Sequence, residues 1–217
     1  MKRRLGAVLA LAAVVVGFVL LGPRDCGCAP PGKVRTPIPS DAALLPSDFV
    51  LTAPWEAGER RRIIRGYNVA AHQGFARPNR SNDAYALDFN LERGDPVLAA
   101  APGVVTYAGP ASGGWESFGN IVLLEHAGGV SSLYAHLDAV AVRERESLER
   151  GAQLGTAGNS GGVRTHLHLS LYRDVQLARG ERGTGPFGGA SVLPEPFGGE
   201  ARVGLSFGQC LTADDGG

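Results

Sequence analysis

Lysine is almost missing from this 217-residue chain: Lys2 and Lys33 are the only two. Arginine supplies the rest of the positive charge, the formal net charge is zero, and no basic block carries the footprint of a nucleic-acid-binding surface. Long helical periodicity is scarce as well, which leaves a β-rich domain. Glycine (32 residues) and proline (14) are abundant but follow no fixed period, so a collagen-like repeat is excluded and many turns between short strands are expected. No internal repeat and no second domain are visible. Cysteine is limited to Cys26, Cys28 and Cys210.

What is present is concentrated in Thr165-His166-Leu167-His168-Leu169-Ser170-Leu171. Side chains on a strand alternate between faces, so His166, His168 and Ser170 share one face while Leu167, Leu169 and Leu171 bury the other. Two imidazoles then stand about 7 Å apart on one polar surface. On a helix they would diverge, because neighbours there lie three and four positions apart. Two of the five histidines fall here, which points to a metal or catalytic site. The plainer alternative is a half-buried strand whose outer face happens to carry histidine.

The amino terminus reads differently. Lys2-Arg3-Arg4 precedes an uncharged apolar run, and residues 1–22 have the layout of a signal peptide or signal anchor. The run exceeds the usual signal core and is about long enough to span a bilayer. No good cleavage site follows it, so an uncleaved anchor, attached to the membrane through this segment, is the preferred reading; either reading exports the domain to the periplasm or cell envelope. In an oxidising compartment one of Cys26 and Cys28 is expected to bridge to Cys210, the alternatives being free thiols or links between chains. Residues 23–48 form a Pro-rich tether, 49–210 the domain with its core at 66–172, and 211–217 a tail.

Within the domain, strands are expected at Phe49–Leu51, Tyr85–Phe89, Pro96–Ala101, Gly103–Tyr107, Asn120–Glu125, Ser131–His136 and Val140–Val142, with weak ones around Ser191–Leu193 and Ala201–Phe207. Glu56–Arg62 reads as a solvated loop or hairpin tip. The fold class is mainly β: an antiparallel sheet or sandwich with few or short helices. A hydrolytic zinc site needs about three protein ligands and an open position for water, and His72, Asp88, His136, His166 and His168 are available. Asp88 lies between Leu87 and Phe89, where a carboxylate is costly unless paired or metal-bound; it is a better candidate than Asp83 in the polar Ser81-Asn82-Asp83 loop. Each has a structural alternative: a loop residue for His72, a hydrogen-bonded buried acid for Asp88, a satisfied core histidine for His136. His126, at a strand end before Ala127-Gly128-Gly129, reads as structural. Tyr134, two residues before His136, is expected to share its face.

An ordered series of motifs carries a resemblance. It begins with His72 and the Asp88-Phe89 pair, continues through Gly94-Asp95-Pro96-Val97-Leu98-Ala99-Ala100, Gly103-Val104-Val105 and Gly119-Asn120-Ile121-Val122. It ends with Tyr134-Ala135-His136-Leu137 and Gly155-Thr156-Ala157-Gly158-Asn159-Ser160-Gly161 leading into His166-Leu167-His168. From Gly66 to Leu171 the chain resembles the lysostaphin/LytM-type zinc metallopeptidases, which cut peptide bonds in bacterial peptidoglycan. The resemblance implies the lysostaphin-type antiparallel β fold (the duplicated hybrid motif), zinc ligation by His72, Asp88 and His168, and catalytic work on water and transition state by His136 and His166. It further implies an exported zinc metalloendopeptidase acting through a zinc-activated water on stem or bridge peptides, with room for a regulatory partner. In one respect the chain departs from the family's shortest form: His72 and Asp88 stand 88 − 72 = 16 positions apart instead of four. Gly114-Trp115 and the Gly158–Val163 loop are candidate groove rims. Two rivals exist: a catalytically inactive adaptor that activates a separate wall hydrolase, and a metal-storing β-domain.

Overall fold

The computed structural model describes residues 27–28, 37–38, 40–67, 69, 72, 83–112, 115–177, 187–198 and 204–214. In chain order the strands are β1 (Arg60–Arg65), β2 (Leu87–Phe89), β3 (Pro96–Leu98), β4 (Gly103–Pro110), β5 (Asn120–Glu125), β6 (Val130–Val140), β7 (Ser147–Leu148), β8 (Gln153–Ala157), β9 (Leu167–Leu177), β10 (Phe187–Val192) and β11 (Cys210–Thr212). The spatial order is β11-β1-β2-β9-β6-β5-β4-β7; β10 joins β9, and β8 bridges β3 and β6. All of these ladders are antiparallel. The helical elements named among the described residues are two 3-10 turns, Glu116–Phe118 and Ala127–Gly129. A mainly antiparallel β fold is therefore what the chain adopts.

The alternation in β9 works as its sequence dictates. Leu167, Leu169 and Leu171 are fully buried in the main core with Leu87, Phe89, Val122, Leu124 and Tyr134. The opposite face is covered too: Ala111, Ile121, Leu123, Leu133, Ala135 and Tyr172 form a second cluster, on which Trp115 and Phe118 pack. His168 and Ser170 are consequently buried as well. A strand apolar on one face and polar on the other is here closed on both sides, so its polar face had to be satisfied internally.

Several expectations are corrected by non-local pairing. Arg60–Arg62 are not a loop but the first half of β1, zipped to β11 through Arg61↔Leu211 and Arg62↔Cys210. Arg61 reaches Asp95 at 2.9 Å, so a charge run conceals a strand whose arginines have partners. Of Phe49–Leu51, only Leu51 makes a bridge, parallel to Phe197. β6 runs to Val140, and Ala141 and Val142 lie outside it. The last strand is Cys210–Thr212 and not Ala201–Phe207, of which residues 201–203 lie outside the described residues and 204–207 are not strand. Residues 1–22 also lie outside the described residues. Leu45 of the Pro-rich segment is buried, with Ile38 and Ala43 against the same core. Cys28 is bonded to Cys210, tying that segment to β11; Cys26 is outside the described residues.

Candidate active site

The site is built where β2, β9 and β6 lie side by side. In the register, Asp88 pairs with His168 across one ladder and Ala135 with His168 across the other. Leu87 and Phe89 fill the core, and Asp88 between them must point the other way, toward the histidines. His72 arrives from outside the sheet. Its Nε2 stands 3.2 Å from Asp88 Oδ1, and His168 Nδ1 stands 2.9 Å from the same oxygen. His72, Asp88 and His168 are all buried, and one ligand atom from each lies within 4.8 Å of the others. His166 Nε2 is 3.4 Å from Asp88 Oδ2, and Arg65 Nη1 donates to that oxygen at 3.0 Å. The sixteen-position gap between His72 and Asp88 is thus spanned in space, although residues 73–82 lie outside the described residues.

His136 enters the site by breaking the strand rule. Tyr134 pairs with Leu169 and faces the main core, where its hydroxyl accepts from the Ala100 amide at 2.9 Å and from Ser132 at 3.0 Å. By alternation His136 would join it there. Instead His136 has φ of 63°, in the left-handed region, and its ring lies 4.5 Å from that of His166 and 5.8 Å from that of His168. The shared face expected for Tyr134 and His136 is therefore wrong. A non-glycine residue held at positive φ costs of order 1 kcal/mol or more and collects at functional sites.

Each histidine is locked by its outer nitrogen. His72 Nδ1 faces the Gly66 carbonyl at 3.2 Å, His136 Nδ1 the Ser160 carbonyl at 3.1 Å, and His166 Nδ1 the Arg164 carbonyl at 2.6 Å. A carbonyl can only accept, so these three nitrogens carry the proton and their Nε2 lone pairs are left for the site. His168 is turned the other way: its Nε2 faces Asp83 Oδ1 at 3.2 Å, which presents Nδ1. Hydrogen bonds of this kind to the outer nitrogen fix the tautomer and orientation of metal-binding imidazoles. Two imidazole nitrogens and a carboxylate oxygen are donors that zinc takes, and three protein ligands leave a position open for water.

Electrostatics sort the rings. Burial alone would lower the pKa of His168, but the Asp83 and Asp88 carboxylates reverse this and push it up to about 10. Burial would raise Asp88, yet the His168 and His72 rings set against its carboxylate hold it well below the usual carboxylate range. Burial, with the charge of His168 and His166, lowers His136 to about 3. His166 is lowered too, by burial opposed by Asp88. His136 and His166 are thus neutral at physiological pH.

A pocket of about 200 Å³ opens onto these groups, and Arg65, Ser117, Phe118 and Val163 line it with them. Phe118 stacks on His136 with centroids 6.2 Å apart and meets His168 edge-on at 5.2 Å. Of the two expected rims, Val163 lines the pocket, Trp115 sits behind Phe118, and Gly114 lies outside the described residues. His126 stands apart from the site. Its Nδ1 donates to the Pro102 carbonyl at 2.7 Å and its Nε2 lies 2.8 Å from Ser132 Oγ. Sequence reasoning missed Arg65 and Phe118 and set Asp83 aside. For Asp83 a signal existed: Ser170 and Tyr172 follow His168 at alternate positions, and buried hydroxyls on one face require an acceptor.

The fold and site define an antiparallel β domain carrying a buried two-histidine, one-carboxylate donor set with two further histidines beside it. Residues 82–179 match Peptidase family M23. The chain is 38% identical over 84 residues to lipoprotein NlpD of Yersinia enterocolitica, covering 39% of this chain and 84% of that sequence. It belongs to peptidase family M23. The cell division protein DipM of Caulobacter vibrioides is 34% identical over 143 residues, 65% of this chain and 22% of that protein. The murein hydrolase activator NlpD of Escherichia coli is 34% identical over 85 residues, 39% of this chain and 22% of that protein. The chain therefore spans about a fifth of the length of these last two relatives.

Proposed function

We propose that this protein is an exported zinc metalloendopeptidase that hydrolyses peptide cross-links of bacterial peptidoglycan. The observation that carries the reading is the convergence of five side chains on one point, each turning toward it an atom able to serve as a lone-pair donor, His168 Nδ1 once it has lost its proton. His72, Asp88 and His168 would hold the zinc through Nε2, a carboxylate oxygen and Nδ1. Zinc so bound supplies Lewis acidity, polarising a carbonyl and making water acidic near neutral pH.

The remaining work falls to the chain's own groups. His136 and His166 are neutral, each with Nδ1–H tied to a carbonyl and Nε2 open to the pocket. One takes the proton of the attacking water, which requires the neutral form. The imidazolium so formed donates its new Nε2–H to the developing oxyanion and then delivers that same proton to the departing amine, which restores the neutral ring. Carbonyl tethers fix both rings before substrate arrives, so little reorganisation accompanies the reaction. Phe118, stacked on His136 and edge-on to His168, and Val163 give the pocket an apolar wall beside the two rings.

Residues 1–22 would serve as signal or anchor; the hydrolytic domain, centred on 66–172, would also take in parts of the segments expected as tether and tail, because Ile38, Ala43, Leu45, Leu211 and Ala213 pack on its core. The Cys28–Cys210 bond suits an oxidising compartment outside the cytoplasm. Among the described residues no helix is long and apolar enough to cross a membrane.

A second reading has a specific observation in its favour: the E. coli relative is named a murein hydrolase activator. Under it the domain is an inactive adaptor for a separate wall hydrolase. Incubating the purified full chain with isolated cell walls, with and without a chelator, separates the two. Chelator-sensitive release of peptides is expected. His168→Ala should lose metal and activity together, whereas His166→Ala should retain zinc and lose only activity. Zinc-loaded wild type that releases nothing from several wall types would establish the adaptor.

A further inference from the structure

We propose that Asp83 is a positioning residue for His168, holding the far side of its ring so that Nδ1 is the atom turned toward Asp88 and His72. The inference rests on the zinc reading above. Three successive inward side chains of β9 converge on one carboxylate oxygen. His168 Nε2 lies 3.2 Å from Asp83 Oδ1, the Tyr172 hydroxyl donates to it at 3.2 Å, and the Ser170 hydroxyl donates to it closely. Ser170 Oγ also stands 2.9 Å from His168 Nε2. These residues occupy positions 168, 170 and 172 of one strand, so the strand period alone aims all three at the same place.

The arrangement resists the alternative ring orientation. Asp83 is only 5% exposed, and a buried carboxylate deprived of donors is costly. Turning the His168 ring by half a rotation would aim a C–H at Asp83 and remove Nδ1 from its place 2.9 Å from Asp88 Oδ1. Both carboxylates therefore favour one orientation. His168 differs here from His72, whose outer nitrogen is held by a neutral backbone carbonyl. An anionic partner on the outer nitrogen makes the inner one a stronger donor. Asp83 thus acts on ligand geometry and basicity without touching the reacting atoms.

The test is competition of zinc alone with a chromophoric chelator for the metal-free full chain. Asp83→Ala should weaken zinc binding by about 10- to 100-fold. Asp83→Asn, which keeps an acceptor oxygen in the same place but not the charge, should restore the part of that loss that comes from ring orientation. A merely structural role would lower the melting temperature of both variants without this rescue. Folded Asp83→Ala that binds zinc within about twofold of wild type overturns the proposal, since such partners are worth at least tenfold. A second readout needs no metal: the His168 Nε2 proton should be slowly exchanging in the nitrogen-15 spectrum of wild type and lost in Asp83→Ala. If wild type takes up no zinc, the zinc reading falls while this proton still decides the positioning. Its absence from the wild-type spectrum overturns it.

Discussion

Metal-free protein should bind zinc far more tightly as pH rises through a range in which ordinary histidines no longer titrate. His168 lies between two carboxylates, Nδ1 at 2.9 Å from Asp88 and Nε2 at 3.2 Å from Asp83, which push its pKa up to about 10. A ligand nitrogen must lose its proton before it can coordinate. With a pKa of about 10, the affinity gain between about pH 7.5 and 9 is (1 + 10^2.5)/(1 + 10^1), or about 30-fold. A histidine at the usual pKa of about 6.5 would give a change of only about 10% over the same interval. The assay is chelator competition at several pH values, with calorimetry in two buffers of different ionisation enthalpy to count released protons. About one proton per zinc is expected near pH 8 from this group. A flat affinity profile above about pH 7.5 would refute the charged, doubly bracketed state of His168. The same shift sets the stability of the metal-free chain. The folded pKa is raised above the unfolded value of about 6.5, so the contribution is fully present below that pH. It is lost as pH rises through about 10, and amounts to roughly 5 kcal/mol at most.

Gly161 has φ of 81°, and a Cβ there would collide with the Ser117 carbonyl; Gly161→Ala should cost about 1–2 kcal/mol in backbone strain alone. It should also loosen the adjacent Ser160 carbonyl that holds His136, read as a lower melting temperature together with a displaced His136 ring resonance; an unchanged resonance would argue against this coupling. The Cys28–Cys210 bond spans 182 positions, for which chain entropy gives a stabilisation of about 5 kcal/mol as an upper figure. Cys210→Ser should lower the urea midpoint accordingly, and an unaltered midpoint would show that the bond constrains nothing in the unfolded chain.

Much of this site could be read from short-range patterns, because a strand's period is local. The alternation from Thr165 to Leu171 fixed which residues share a face with His168, and the apolar neighbours of Asp88 fixed that its carboxylate would point away from the core. Where the period failed, the cause was backbone conformation. Nothing adjacent to His136 in sequence announces φ of 63°, and that one dihedral moves the ring from the Tyr134 side of the sheet to the His166 side. Arg60–Arg62 misled for a different reason: charge marks a solvated loop only when no partner strand exists, and β11 lies about 150 positions away by the register Arg61↔Leu211.

The sequence by itself thus determined a β-rich fold and a set of five chemically competent side chains, since both depend on residue type and local spacing. Tertiary structure alone decided the rest. Which ring nitrogen His136 and His168 present depends on a carbonyl and a carboxylate contributed by distant segments, Ser160 and Asp83. Protonation depends equally on burial and on charges brought within about 3 Å by strand pairing. Such forces act through space, and no linear pattern encodes them until the chain has closed on itself.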